Sequence, residues 1–311
     1  RLPCRGGQRR LDAIADRPDR PRLRRRCRHD PGAAGAVGRE LTGSANAVLW
    51  LQELTGNESG WSVWDLRYLG FATWGPTRAV ALSRAPERLA SHKRWLAAHD
   101  LDVRPALASH GRHLAGDEPA AAQPHAPGPT AAESHAVRPT AAEPRIAESI
   151  RGNEVLFEHD RRPASRAEIE LCATLLACTR ADLLDAVTGL PDELLDWDPP
   201  YAAYLSWARW RTVREILTHV AQTEVGYYLP AIGYAAPDAE TFASLRWLEQ
   251  LRLGREHTLA RLADLAEADD RLRLTEGDEG WSVRKVLRRL VWHELLHLKS
   301  IRRIVAAFPG R

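Results

Sequence analysis

Two histidines, His293 and His297, stand four residues apart in a stretch that reads as one long helix, Trp281 to Ile304. Ser282 is a good N-cap, and neither Pro nor Gly interrupts the run before Pro309 and Gly310. Val286, Leu290, His293, His297, Ile301, Ile304 and Phe308 fall three or four apart, one stripe of a 3.6-residue helix. The two imidazoles therefore sit one above the other on the face that should be buried. Buried polar groups are costly when unpaired, and a divalent metal is the partner this spacing suits best.

A third imidazole comes from mid-chain. In the run from Thr212 to Glu224, His219 shares a helical face with Ile216, Thr223 and Tyr227. Helical bundles build metal sites from inward side chains on facing helices, so His219, His293 and His297 can converge. Three protein ligands leave a coordination position open for water or substrate, as in catalytic sites. Three imidazoles are compatible with several divalent ions, with zinc or nickel ahead of iron or manganese.

Other chemistry must be weighed against this. His293-Glu-Leu-Leu-His297 is literally H-E-x-x-H, the zinc peptidase motif, with Glu294 as general base. That reading needs a third ligand downstream, and residues 298–311 contain no His, Glu or Asp. It stays a minor alternative. Glu294 and Glu215 are placed to orient a ligand or take a proton, yet equally placed to stabilise their helices, so neither receives a role. Cys172 points inward and reads as an inert buried thiol. His110, His113, His125 and His135 lie in Ala- and Pro-rich low complexity at about 108–142, with nothing to preorganise them. Cys27-Arg-His29 is half a metal site that nothing nearby completes.

The elements that must position the three imidazoles follow a helical pattern from about residue 160 to 308. Ser165 with Glu168 and Thr212 with Glu215 form two capping boxes. The first opens a helix with the stripe Ile169, Cys172, Leu176, Thr179, Leu183 and Leu190, ended by Gly189-Leu-Pro191. The second runs to about Tyr228. A third helix spans about 239–268 with Leu245, Leu248, Leu259, Leu262 and Leu265 inward. With the helix of His293 these make a four-helix bundle. Ahead of it, residues 46–158 read as a small α+β unit. Ala47 to Leu54 is a strand, Trp61 to Trp74 returns as a second, and a helix follows from Thr77 to about His99. That helix carries Ala79, Leu82, Pro86, Leu89 and Leu96 on its apolar face, with a kink at Pro86. Arg145 to Glu158 offers a returning strand. Residues 1–45, with twelve Arg among Pro, Gly and Ala, read as a disordered basic arm. The fold class is mainly α, a C-terminal bundle with a small N-terminal hairpin–helix–strand unit.

Composition narrows the setting. A net charge of +3 over 311 residues gives no case for nucleic-acid binding. Basic residues are nearly all Arg, with Lys only at 93, 285 and 299. No run of eighteen apolar residues exists to span a membrane. Cys4, Cys27, Cys172 and Cys178 form no C-x-x-C pair, which suits a reducing compartment, and a cytoplasmic location is expected. The chain has no Met and opens on Arg, so residues 1–45 are set apart from an ordinary start.

The segment Trp-Arg-Thr-Val-Arg-Glu-Ile-Leu-Thr-His219, followed far downstream by Trp281-Ser-Val-Arg-Lys-Val-Leu and His293-Glu-Leu-Leu-His297, resembles the DinB-like (YfiT-like) superfamily. The resemblance covers about residues 160–308. It implies a metal-binding four-helix bundle, often a homodimer, with His219, His293 and His297 as ligands. Members include thiol-dependent S-transferases, isomerases and hydrolases. A metal-dependent enzyme acting on a small molecule is therefore implied, with a low-molecular-weight thiol as cosubstrate; the alternative is a non-catalytic metal-holding or sensing protein. A second resemblance rests on Leu69-Gly-Phe-Ala-Thr-Trp-Gly-Pro-Thr77 and Ala81-Leu-Ser-Arg-Ala-Pro-Glu-Arg-Leu89, which is similar to the N-terminal domain of HicB-like antitoxins. The DNA-binding segment such antitoxins add is not seen, which leaves an interaction module.

Overall fold

The computed structural model describes residues 47–55, 58–101, 144–201, 210–277 and 279–309. The expected arm at 1–45 lies outside them, as do the low-complexity segment at 108–142 with its four histidines and Cys27-Arg-His29.

Four strands form one sheet: β1 (Val48–Leu54), β2 (Gly60–Trp64), β3 (Ala72–Gly75) and β4 (Arg145–Arg151), in the order β3-β2-β1-β4. β2 pairs antiparallel with both β1 and β3, while β4 runs parallel to β1. The stretch 61–74 is thus two strands and not the single return expected. Asp65 breaks it: its carboxylate accepts from the backbone N–H and the guanidinium of Arg67, closing a turn that ends at Phe71. β1 is central and covered on both faces, which is why Leu49, Trp50 and Leu51 are all buried. Leu49 and Leu51 pack with Val63, Ala81 and Ala85. Trp50 packs on the opposite face with Trp64, Leu66 and Phe157.

Helix α1 (Arg78–Ala98) starts where Thr77 Oγ1 accepts from the Val80 N–H, and it continues through Pro86 as one helix. Its buried stripe is Ala81, Ala85, Leu89, His92 and Leu96, with Ala79 and Pro86 exposed. Small Ala residues let the helix lie close on the sheet, a signal weaker than the Leu and Pro positions that suggested another phase.

The helices that follow are α2 (Arg166–Val187), the single turn α3 (Asp192–Leu195), α4 (Val213–Thr223), α5 (Ala239–Ser244), α6 (Trp247–Glu267) and α7 (Val283–Ala307). Both expected capping boxes form, at Ser165 with Glu168 and at Thr212 with Glu215. Ser282 caps α7 by accepting from the Lys285 N–H. Helix α2 packs on α7 and α6, and α4 packs on the same two, so the four close a ring. The protein is mainly α, a C-terminal four-helix bundle with a small N-terminal sheet unit. No helix among the described residues is long and apolar enough to cross a membrane.

Two helices depart from the sequence reading. The expected helix at 239–268 is broken at Leu245 and Arg246, and Leu248 is exposed. Its true inner stripe includes Leu251, Gly254, Arg255, Thr258, Leu262 and Leu265. Polar residues in that stripe hide its phase from a search for apolar spacing. After α4 the chain makes a π turn, Glu224–Tyr228. The wider turn shifts the helical register, so Tyr227 is partly exposed and Tyr228 is buried.

The sheet unit rests on α7 through a defined contact. Trp64 packs against Trp292 at 5.5 Å between ring centroids. Arg288 of α7 lies over the Trp64 ring and pairs with buried Asp160 at 2.7 Å. Gly70 sits in the left-handed region (φ +83°), where a Cβ would lie 2.4 Å from Val291 Cγ1. Gly70→Ala should therefore lower stability by about 2–4 kcal/mol, backbone strain and overpacking together. Urea unfolding checks this, and a midpoint equal to that of the parent would refute the contact.

Candidate metal centre

Helix α7 carries His293 and His297 toward α4, and α4 carries His219 toward them. The Nε2 atoms of His293 and His219 are 3.1 Å apart, and those of His297 and His293 are 3.0 Å apart. All three candidate ligand nitrogens lie within 4.8 Å of one another. A tetrahedral ion with bonds of about 2.0–2.1 Å needs nitrogens roughly 3.3 Å apart, so the spacing fits. His293 and His297 are buried, and His219 is half-buried at the edge of its stripe.

The protonation states suit a cation as well. Burial pushes His219 down to about 4. It pushes His297 down to about 3, with His219 adding to the effect and Glu294 opposing it. His293 falls well below its ordinary range through burial first, then through His297, His219 and Arg289. All three rings are neutral at pH 7, each with a lone pair to give. A ring nitrogen offers one proton or one lone pair, so His293 Nε2 cannot satisfy both of its neighbours by hydrogen bonding. A shared cation would accept all three lone pairs.

Neighbouring groups set ring orientation. His219 Nδ1 lies 3.3 Å from Thr223 Oγ1, one turn on, which leaves Nε2 facing the centre. Trp210 stacks on His219 at 3.5 Å with planes 10° apart. Tyr228, delivered by the π turn, packs edge-on to His293 at 5.6 Å. His297 Nδ1 is buried without a hydrogen-bond partner.

Glu294 is not beside the three nitrogens as a base. Its carboxylate is buried and accepts from Thr179, Arg180 and Arg255. Burial alone would raise its pKa, but Arg180 and Arg255 outweigh it and hold it down to about 2. A carboxylate so acidic and so fully bonded is a poor proton acceptor, and the H-E-x-x-H peptidase reading loses its base. Glu215 closes the cap of α4 by accepting from the N–H groups of Arg211 and Thr212. Cys172 donates weakly to the Leu287 carbonyl at 3.5 Å, and burial pushes its thiol up to about 12.

Sequence spacing missed the groups around Glu294. Arg180, Arg255 and Glu224 are buried in the bundle, with Thr258 beside Glu224. The available signal was an Arg beside Thr179 in the α2 stripe and an Arg four residues from Leu251 in α6. Both are easily taken for solvated positions.

Residues 175–301 match the family model of the DinB superfamily. No curated protein and no solved structure matches the chain. The matched span runs from α2 into α7 and contains His219, His293 and His297, so the helical part of this chain is similar to the DinB superfamily.

Proposed function

We propose that the protein is a divalent-metal-dependent enzyme of the thiol S-transferase or hydrolase type. The observation that carries this reading is the convergence of three neutral, largely buried imidazoles; three protein ligands would leave a coordination position to water or substrate. His219, His293 and His297 would hold zinc or nickel, with iron or manganese next. A divalent ion supplies Lewis acidity, which makes a water or a low-molecular-weight thiol more acidic at neutral pH.

The chain's own residues would do the rest. Thr223 fixes the tautomer of His219. Trp210 and Tyr228 shield the ligand rings from water and form walls beside them. His219 is the least buried of the three. All three candidate ligands come from one chain. The sheet unit, in this reading, packs α7 in place through Trp64 and Asp160.

The test is a turnover screen of zinc- and nickel-loaded protein with low-molecular-weight thiols and activated electrophiles or esters. Turnover that is lost in His293→Ala supports the proposal. Protein that keeps its metal and turns nothing over would replace it with the metal-holding or sensing reading.

A further inference from the structure

Four ionised side chains meet in the middle of the bundle, one from each side of the ring of helices. Arg180 comes from α2, Arg255 from α6, Glu224 from the π turn that continues α4, and Glu294 from α7. Arg180 pairs with Glu224 at 3.1 Å and also with Glu294. Arg255 pairs with Glu294 at 2.7 Å and also with Glu224. Each guanidinium in addition donates to a backbone carbonyl of the other's helix, Arg180 to Leu251 and Arg255 to Leu176. Thr179 donates to Glu294, and Thr258 lies 3.5 Å from Glu224. Two cations thus balance two anions, each anion held by both cations.

The position of this layer is as telling as its bonds. On one side lie Leu176, Leu262 and Leu290, and on the other Leu183, Leu251 and Leu298, so the charges divide the apolar core in two. The two carboxylates belong to the elements that bear the imidazoles. Glu294 follows His293 directly, and Glu224 opens the π turn one residue after Thr223, the partner of His219. Buried ion pairs are a weak source of net stability, because desolvation offsets their attraction, but two planar guanidinium forks fix relative position. An apolar layer of the same volume would pack the helices without these directional bonds. The π turn, a rare backbone form, begins at Glu224, the residue paired with the two arginines.

We propose that Arg180, Arg255, Glu224 and Glu294 are positioning residues that preset the spacing of α4 and α7, holding His219 within one ion's reach of His293 and His297 before the ion arrives. This rests on the metal reading of the three imidazoles. The layer acts through the helices and touches neither ion nor substrate.

Two variants keep the net charge of the layer at zero, so a change in affinity reports geometry and not field. Arg180→Lys retains the charge and loses the fork; Arg180→Met with Glu224→Gln removes one charge of each sign. Zinc affinity is measured by competition with a chelating dye, and the visible spectrum of the cobalt-loaded protein reports coordination geometry. Chelator-treated protein is melted in urea alongside. Zinc binding about 10–100-fold weaker than the parent's is expected, with an altered cobalt spectrum. Should the double variant not fold, Arg180→Lys alone decides. A layer that serves only stability would lower the urea midpoint while zinc affinity stays within twofold and the cobalt spectrum is unchanged; that result overturns the inference. Parent protein that binds no zinc in the same titration overturns the metal reading itself, a different outcome.

Discussion

His297→Leu is expected to strip the site of its metal and leave the metal-free protein more stable than its parent. Structural zinc sites with four ligands bind with about 10–16 kcal/mol, roughly 3–4 kcal/mol per ligand. Losing one ligand of this set should weaken zinc binding by about 10²–10³-fold. Without metal the balance reverses. His297 Nδ1 is buried with no partner, and its Nε2 competes with that of His219 for the one hydrogen bond His293 Nε2 can make. An unsatisfied buried polar group costs about 1–3 kcal/mol, and Leu fills a similar volume with nothing to satisfy. Urea unfolding in chelator measures the gain, and metal analysis after zinc loading measures the loss. A Leu variant that binds zinc as tightly as its parent would contradict the assignment of His297 as a ligand.

Acid should unfold the metal-free protein more readily than the loaded one, and His92 should steepen the acid slope of both forms alike. His92 is buried between α1 and the rest of the molecule, stacked on Trp95, and burial pushes its pKa down to about 4. In the unfolded chain it titrates near 6.5. Between those values the unfolded state binds the proton first, so this stability is complete above pH 6.5 and is lost as pH falls toward 4. The shift corresponds to about 3 kcal/mol. The three imidazoles of the site, likewise held neutral, add to the loss in chelator and resist protonation when they share an ion. Urea midpoints from pH 7 to pH 4.5 should fall less steeply for His92→Phe than for the parent. Parallel slopes would mean that His92 already carries its proton in the fold.

Much of this arrangement could be read from residue order because local rules and tertiary packing agree. The stripe of α7 from Val286 to Ile304 is buried as its spacing requires, and the caps at Ser165, Thr212 and Ser282 start their helices where side-chain oxygens can accept. The convergence of His219 with the α7 pair was legible for the same reason, since all three lie on or beside inward faces.

What was not legible depends on polar residues turned inward. Arg255 and Thr258 occupy the inner face of α6, which shifted its apparent phase onto exposed Leu248. Glu224 opens a π turn that no 3.6-residue pattern contains, so Tyr228 and not Tyr227 packs against His293. Glu294 looked like a base because its motif names one. Its true partners, Arg180 and Arg255, lie 114 and 39 residues away in the chain. The turn at Asp65, which splits the second half of the expected hairpin, follows from a side-chain-to-backbone bond that competes with strand pairing.

The most direct measurement is anomalous diffraction from crystals of the zinc-loaded protein, with data on both sides of the zinc edge. The account predicts one ion, bonded at about 2.0–2.1 Å to the Nε2 atoms of His219, His293 and His297. An ion bound elsewhere, or held by His293 and His297 with His219 turned away, would contradict it.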